Sequence, residues 1–184
     1  VAVLSAWTLA GASSRARSAL GAGLAVSAAA DLAIEASFPA GLSTFLLAHL
    51  LYLRGFLSAC SKRRWLHLLL PGAYAGVILR ILWPGLGALR VPVAFYVAAL
   101  VAVLWRASAC LGRRRRPRPE EWMGFAGTWS FAVSDTLIAL DRFHAPIPGA
   151  RVPIMALYWL GQSGIALFAV RESPSQGPAT AQTL

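Results

Sequence analysis

Asp31, His49 and Asp135 stand inside stretches that are otherwise apolar. Each has hydrogen-bonding or aromatic neighbours at helical spacing. Ser27 and Glu35 lie one turn to either side of Asp31, and Phe45 and Tyr52 share a face with His49. Ser134 precedes Asp135, and Tyr158 and Gln162 are four residues apart. Carboxyl and imidazole groups give and take protons. Inside apolar segments they are costly to keep, and they serve two main ends there: acid–base catalysis or a proton relay in a carrier. No Cys/His cluster has zinc-type spacing, so no metal site is expected.

These groups need elements to position them, and composition identifies the elements. Of 184 residues, 58% are apolar and 13% charged, and the mean hydropathy is +0.62. Soluble domains are about 45–50% apolar and about 25% charged. A membrane-spanning helix needs roughly 20 mostly apolar residues. Six stretches qualify: 16–36, 40–60, 65–83, 91–111, 121–141 and 152–170, after a short one over Val1–Ala12. Ser13-Ser14-Arg15, Pro39, the Ser61–Arg64 run, Pro84-Gly85, the Arg113–Pro119 run and Pro146-Ile147-Pro148-Gly149 separate them. The stretch 91–105 carries no charge, and helices apolar all round are buried in protein or lipid. The expected fold is an all-α, polytopic transmembrane bundle of about seven helices. It forms a single domain over 1–171, followed by a disordered Ser/Gly/Pro/Thr-rich tail over 172–184. Val1–Ala12 has no basic n-region, so it is not read as a signal peptide, and an earlier helix is expected to be missing.

If the segments alternate in direction, thirteen of the 17 basic residues fall on one side. Only Arg80, Arg90, Arg142 and Arg151 fall on the other. The positive-inside rule makes the first side cytoplasmic, together with the C-terminus. The net charge of +10, including Arg113-Arg114-Arg115-Arg116-Pro117-Arg118, then reads as a topology anchor. That run contains no stacking aromatics, and no nucleic-acid partner is expected. Trp65, Trp105, Trp122 and Trp83 lie near segment ends as interfacial anchors. Cys60 and Cys110 fall at cytoplasmic ends, so they are expected as free thiols. Glu120 and Glu121 open a helix, where carboxylates suit the helix dipole.

Depth links the polar residues. Measured from the non-cytoplasmic ends, Asp31 lies about 7 Å in, Asp135 and Tyr158 about 9 Å, His49 about 13 Å and Gln162 about 15 Å. All five fall in one half of the membrane and are placed to line one cavity. Arg142 and Arg151 lie at the same side, as contacts for a headgroup phosphate or as loop residues that snorkel.

Four motifs carry a resemblance. Phe38-Pro39-Ala40-Gly41-Leu42-Ser43-Thr44-Phe45-Leu46-Leu47-Ala48-His49-Leu50-Leu51-Tyr52 resembles a signature of the lysoplasmalogenase family, the bacterial YhhN-type proteins and the animal transmembrane protein 86 group. Phe131–Phe143, centred on Ser134-Asp135, is a second match, and Tyr158-Trp159-Leu160-Gly161-Gln162 is similar to the family's Tyr-x-x-x-Gln. Ser27-Ala28-Ala29-Ala30-Asp31 is similar to Ser-x-x-Gly-Asp, with Ala in place of Gly. The resemblance covers residues 20–171 in order. It implies an eight-helix bundle and hydrolysis of the vinyl ether bond of alkenyl lysophospholipids in the bilayer. The products are a fatty aldehyde and glycerophosphocholine or glycerophosphoethanolamine.

That reaction needs a carboxylic acid that is protonated near neutral pH. It also needs a second group to stabilise positive charge and position water. Asp31 and Asp135 are the expected catalytic pair. His49, Tyr52, Ser134, Tyr158, Gln162 and Ser27 are expected to position substrate and water, with no cofactor. Which carboxyl is acid and which is base stays open. The alternative is a proton-coupled transporter of a small or lipid substrate, for which inverted-repeat symmetry would speak. None is evident, since the His-Tyr helix has no counterpart in the other half.

Overall fold

The computed structural model describes residues 1–111 and 115–172. Arg113 and Arg114 of the basic run, and the tail beyond Glu172, lie outside the described residues. Seven α-helices and no strand occur among the described residues: α1 (Ala2–Ala10), α2 (Arg15–Ala36), α3 (Phe38–Ala59), α4 (Leu69–Leu82), α5 (Arg90–Leu111), α6 (Pro119–Phe143) and α7 (Arg151–Arg171). Short 3-10 turns, Trp65–Leu68 and Gly87–Leu89, lead into α4 and α5. Five helical stretches are long and apolar enough to cross a membrane: α2, α3, α4 with its turn, α5 with its turn, and α7. Helix α6 is the longest at 25 residues, and it carries Glu120, Glu121, Asp135, Asp141 and Arg142. The chain is a multi-pass transmembrane helical bundle. Its outward faces carry large apolar side chains such as Leu66, Leu69, Val152 and Leu160, as lipid contact requires.

Helices α2 and α3 form an antiparallel hairpin joined by a single residue. The Ser37 N–H donates to Ala33 O at 3.0 Å, closing α2, and its Oγ accepts from Ala40 N at 3.2 Å, opening α3. Pro39 belongs to the first turn of α3, where its missing N–H costs nothing. It starts the helix rather than separating two of them. The hairpin packs closely because glycines face large side chains. A Cβ on Gly23 would meet the Tyr52 ring at 2.5 Å, and one on Gly55 would meet Leu20 Cγ at 2.5 Å.

Helices α6 and α7 form the second antiparallel pair, again through small residues. A Cβ on Gly127 would meet Gly161 O at 2.9 Å, and one on Gly164 would meet Met123 O at 2.6 Å. Helix α5 lies against both pairs. Leu20, Leu24, Phe56, Val103, Ile165 and Phe168 form the apolar core towards the arginine-rich end, with Phe56 stacked on Phe168 at 5.0 Å.

The two cysteines are not free thiols: Cys60 and Cys110 form a disulfide, with Cα atoms 5.6 Å apart. Helices α3 and α5 are neighbours, and both cysteines sit at the same end of them, so the sulfurs come within bonding reach. Compartment alone had argued for thiols, and proximity decides otherwise. The bond belongs to a larger clasp. Arg106, fully buried, donates from Nη1 to Lys62 O at 3.1 Å and from Nη2 to Cys60 O. Trp105 Nε1 donates to Arg64 O at 2.9 Å, and its ring stacks on Trp65 at 4.8 Å. The 60–65 connection is therefore held at Cys60, Lys62, Arg64 and Trp65 by three residues of α5.

Candidate active site

Each sequence-derived acid is held by a tyrosine from another helix. Tyr158 OH (α7) donates to Asp31 Oδ1 (α2) at 2.7 Å, and Tyr96 OH (α5) donates to Asp135 Oδ2 (α6) at 2.5 Å. A second polar chain runs beside Asp31. Ser27 Oγ and Tyr52 OH are 2.9 Å apart, and Tyr52 OH donates to Gln162 Oε1 at 2.7 Å. Gln162 is fully buried, and its Nε2 has no protein partner.

His49 joins the two acids' surroundings. Its Nδ1 lies 2.8 Å from Phe45 O. A carbonyl only accepts, so Nδ1 carries the hydrogen and Nε2 is left for proton exchange. The ring meets Tyr96 edge-on at 5.0 Å, Phe131 at 5.0 Å and Tyr52 at 6.1 Å. Phe45 in turn meets Phe131 at 6.1 Å and Tyr158 at 6.2 Å. These rings form a partition. On one side is the niche of Asp31, Tyr158, Gln162, Tyr52 and Ser27.

On the other side is an apolar cavity of about 80 Å³. Phe45, Leu42, Val97 and Ala139 line it, and Asp135, Tyr96 and Thr136 are its polar groups. Thr136 is itself tied to Tyr74 of α4, with the hydroxyls 2.7 Å apart. Phe38, Leu82 and Phe143 lie at the end of the cavity away from the arginine-rich loops. Arg142 Cζ sits there, 4.3 Å over the Phe38 ring.

Seven of the eight predicted site residues gather around these two compartments. Ser134 does not: its Oγ donates to Ile154 O at 2.9 Å and ties α6 to α7. Glu35 is exposed and takes no part. Asp141 accepts from Ile147 N at 2.7 Å and so caps the loop after α6. Tyr96 was missed. It lies about 7 Å in from the non-cytoplasmic end of the 91–111 stretch, the depth of Asp31, so applying the same test to every tyrosine would have found it. No group of three or more His, Cys, Asp or Glu able to hold a metal occurs among the described residues.

Two partly buried carboxyls, each bonded to a tyrosine and one of them lining an apolar cavity, invite comparison with known proteins. The family model described as the YhhN family matches residues 1–169. The human protein named Lysoplasmalogenase TMEM86B is 36% identical over 138 residues, which are 74% of this chain and 55% of that protein. Human Lysoplasmalogenase TMEM86A is 33% identical over 157 residues, 80% of this chain and 63% of that protein. A Lysoplasmalogenase of Mycobacterium tuberculosis (strain CDC 1551 / Oshkosh) is 32% identical over 152 residues, 78% of this chain and 56% of that protein. The chain thus spans between 55% and 63% of the length of these relatives. No solved structure matches it. With nearly its whole length matched by one family model and its relatives aligned over most of its residues, the chain belongs to the YhhN family.

Proposed function

We propose that this chain is the catalytic bundle of an integral-membrane lysoplasmalogenase. It hydrolyses the vinyl ether bond of an alkenyl lysophospholipid to a fatty aldehyde and a glycerophosphodiester. The observation that carries this reading is the pairing of Asp135 with Tyr96 at an apolar cavity and of Asp31 with Tyr158 beside it. The chemistry asks for the same parts. A vinyl ether opens when an acid protonates the alkene carbon beta to oxygen, and the oxocarbenium ion so formed adds water. Two carboxyls supply the acid and the base, as at other acetal-like centres. Tyrosine donors hold the carboxyls, and the apolar lining beside Asp135 suits the reacting vinyl end of an alkenyl chain. The names of the relatives agree with this reading.

His49, Tyr52, Ser27, Tyr158 and Gln162 are the positioning groups, and no cofactor or metal enters the scheme. Residues 1–171 act as one membrane domain. Arg142, over Phe38 at the cavity's outer end, lies where a lipid phosphate would meet it. The arginine-rich end and the C-terminus face the cytoplasm. Cys60 and Cys110 are 3% and 1% exposed, which shields their bond from cytosolic thiols at that end.

The test is fatty-aldehyde release from an alkenyl lysophospholipid by the protein purified in mild detergent. Release should fall by at least about 100-fold in Asp31→Asn and Asp135→Asn, the scale of a lost general acid or base. Full turnover by both folded variants would exclude the carboxyl pair.

A further inference from the structure

The two carboxyls occupy unlike surroundings, and the difference assigns their roles. Asp135 lines the apolar cavity, and Tyr96 engages its Oδ2, leaving Oδ1 without a protein partner. Asp31 lies outside the lining, one turn before Ile34, which belongs to it. Tyr158 engages Asp31 Oδ1 and leaves Oδ2 without a protein partner. Tyr158 also borders Gln162, whose buried Nε2 makes no hydrogen bond of good geometry and points its capacity at this tyrosine's surroundings. The vinyl end of an alkenyl chain belongs in the apolar cavity. Water belongs where buried polar groups have spare donors and acceptors. The compartments meet at Phe45, which lines the cavity and stands edge-on to Tyr158.

We infer that Asp135 delivers the proton to the alkene and that Asp31, with Tyr158 and Gln162, takes the proton of the attacking water. This assignment rests on the vinyl ether reading above. Asp135 Oδ1–H gives its proton to the alkene carbon beta to the ether oxygen, and the π pair forms the new C–H bond. The resulting oxocarbenium ion faces the niche. Water, its oxygen accepting from Gln162 Nε2, forms the C–O bond and releases one proton to Asp31. The product is a hemiacetal. Its hydroxyl proton returns to Asp135 as the carbonyl forms, and the bond to the glyceryl oxygen breaks. That oxygen takes the proton held by Asp31. Both carboxyls end as they began, and one water has been consumed.

The assignment predicts a dissociation between two observables in deuterium oxide. These are aldehyde release and deuterium at the alkene carbon of recovered substrate, read by mass spectrometry with an alkenyl lysophosphoethanolamine. In folded Asp135→Asn, both should fall by at least about 100-fold. In Asp31→Asn, release should fall to the same extent while recovered substrate gains deuterium. The cation still forms there, but it reverts by returning a proton to Asp135. Tyr158→Phe, which keeps the Asp31 carboxyl, should raise the ratio of exchange to release, and Tyr96→Phe should lower both together. Exchange by Asp135→Asn, or loss of both signals in Asp31→Asn, overturns the division of roles. So does full release by Asp31→Asn. The absence of aldehyde from the wild-type protein is a different failure, because it removes the vinyl ether reading itself.

Discussion

Gly164 offers a direct test of how tightly the bundle must close to hold the site. A Cβ there would stand 2.6 Å from Met123 O and 2.8 Å from Gly127 Cα, both backbone atoms of α6. Carbon and oxygen settle at about 3.3–3.6 Å in close contacts. Gly164→Ala is therefore short of room by roughly 0.7–1 Å. Backbone cannot rotate away, so α7 must shift from α6 by about that distance. Overpacking of this kind costs about 1–3 kcal/mol. At about 2–4 °C per kcal/mol for a chain of this size, the melting temperature should fall by roughly 2–12 °C. Helix α7 also carries Tyr158 and Gln162, and a misplacement of about 1 Å can cost on the order of 100-fold in rate. Gly72→Ala and Gly76→Ala are the controls, because a Cβ at either position of α4 meets nothing within 4 Å. Both should melt at or slightly above the wild-type temperature, since Ala favours the helix. The assay is thermal unfolding in detergent beside aldehyde release. Wild-type melting and turnover in Gly164→Ala would refute the claim that backbone contact between α6 and α7 sets the site.

Tyr52→Phe removes a hydroxyl that serves both Ser27 and Gln162, leaving buried polar atoms unpaired. It should cost about 1–3 kcal/mol of stability and show as a lowered melting temperature. The disulfide closes a sequence separation of 50 residues, for which chain entropy alone gives about 4 kcal/mol. The Cys60→Ser/Cys110→Ser double variant should therefore melt well below the wild type. The unfolded wild-type protein should show no titratable thiol until a reductant is added.

Apolar runs and their breaks revealed the helices because lipid demands about 20 apolar residues per crossing and tolerates few exceptions. The same stringency exposed Asp31, His49 and Asp135. What stayed hidden depends on the order of helices around the bundle. Alternation says which end a residue lies near, not which neighbour it faces. Asp31 and Asp135 were therefore expected as a pair, yet each is bonded to a tyrosine from another helix. Tyr96 escaped notice because a tyrosine in an apolar helix reads as packing or interfacial unless its depth is measured. Ser134 stands beside Asp135 in sequence, but its side chain does not join it in space. Adjacent positions on a helix point about 100° apart, and its hydroxyl serves α7 instead. The cysteines differ from expectation for a related reason: compartment favours thiols, but a shared end on neighbouring helices brings the two sulfurs together.

The single-residue link at Ser37 leaves the hairpin no slack. One residue inserted between Asp31 and Phe45 would lengthen the path by about 1.5 Å and turn everything on one side of it by about 100°. Either the carboxyl or the Phe45 partition would then face away. The connection from His144 to Ala150 spans several residues and has room to absorb such a change. An inserted residue is therefore expected to be absorbed between His144 and Ala150 and to disturb the bundle at Ser37.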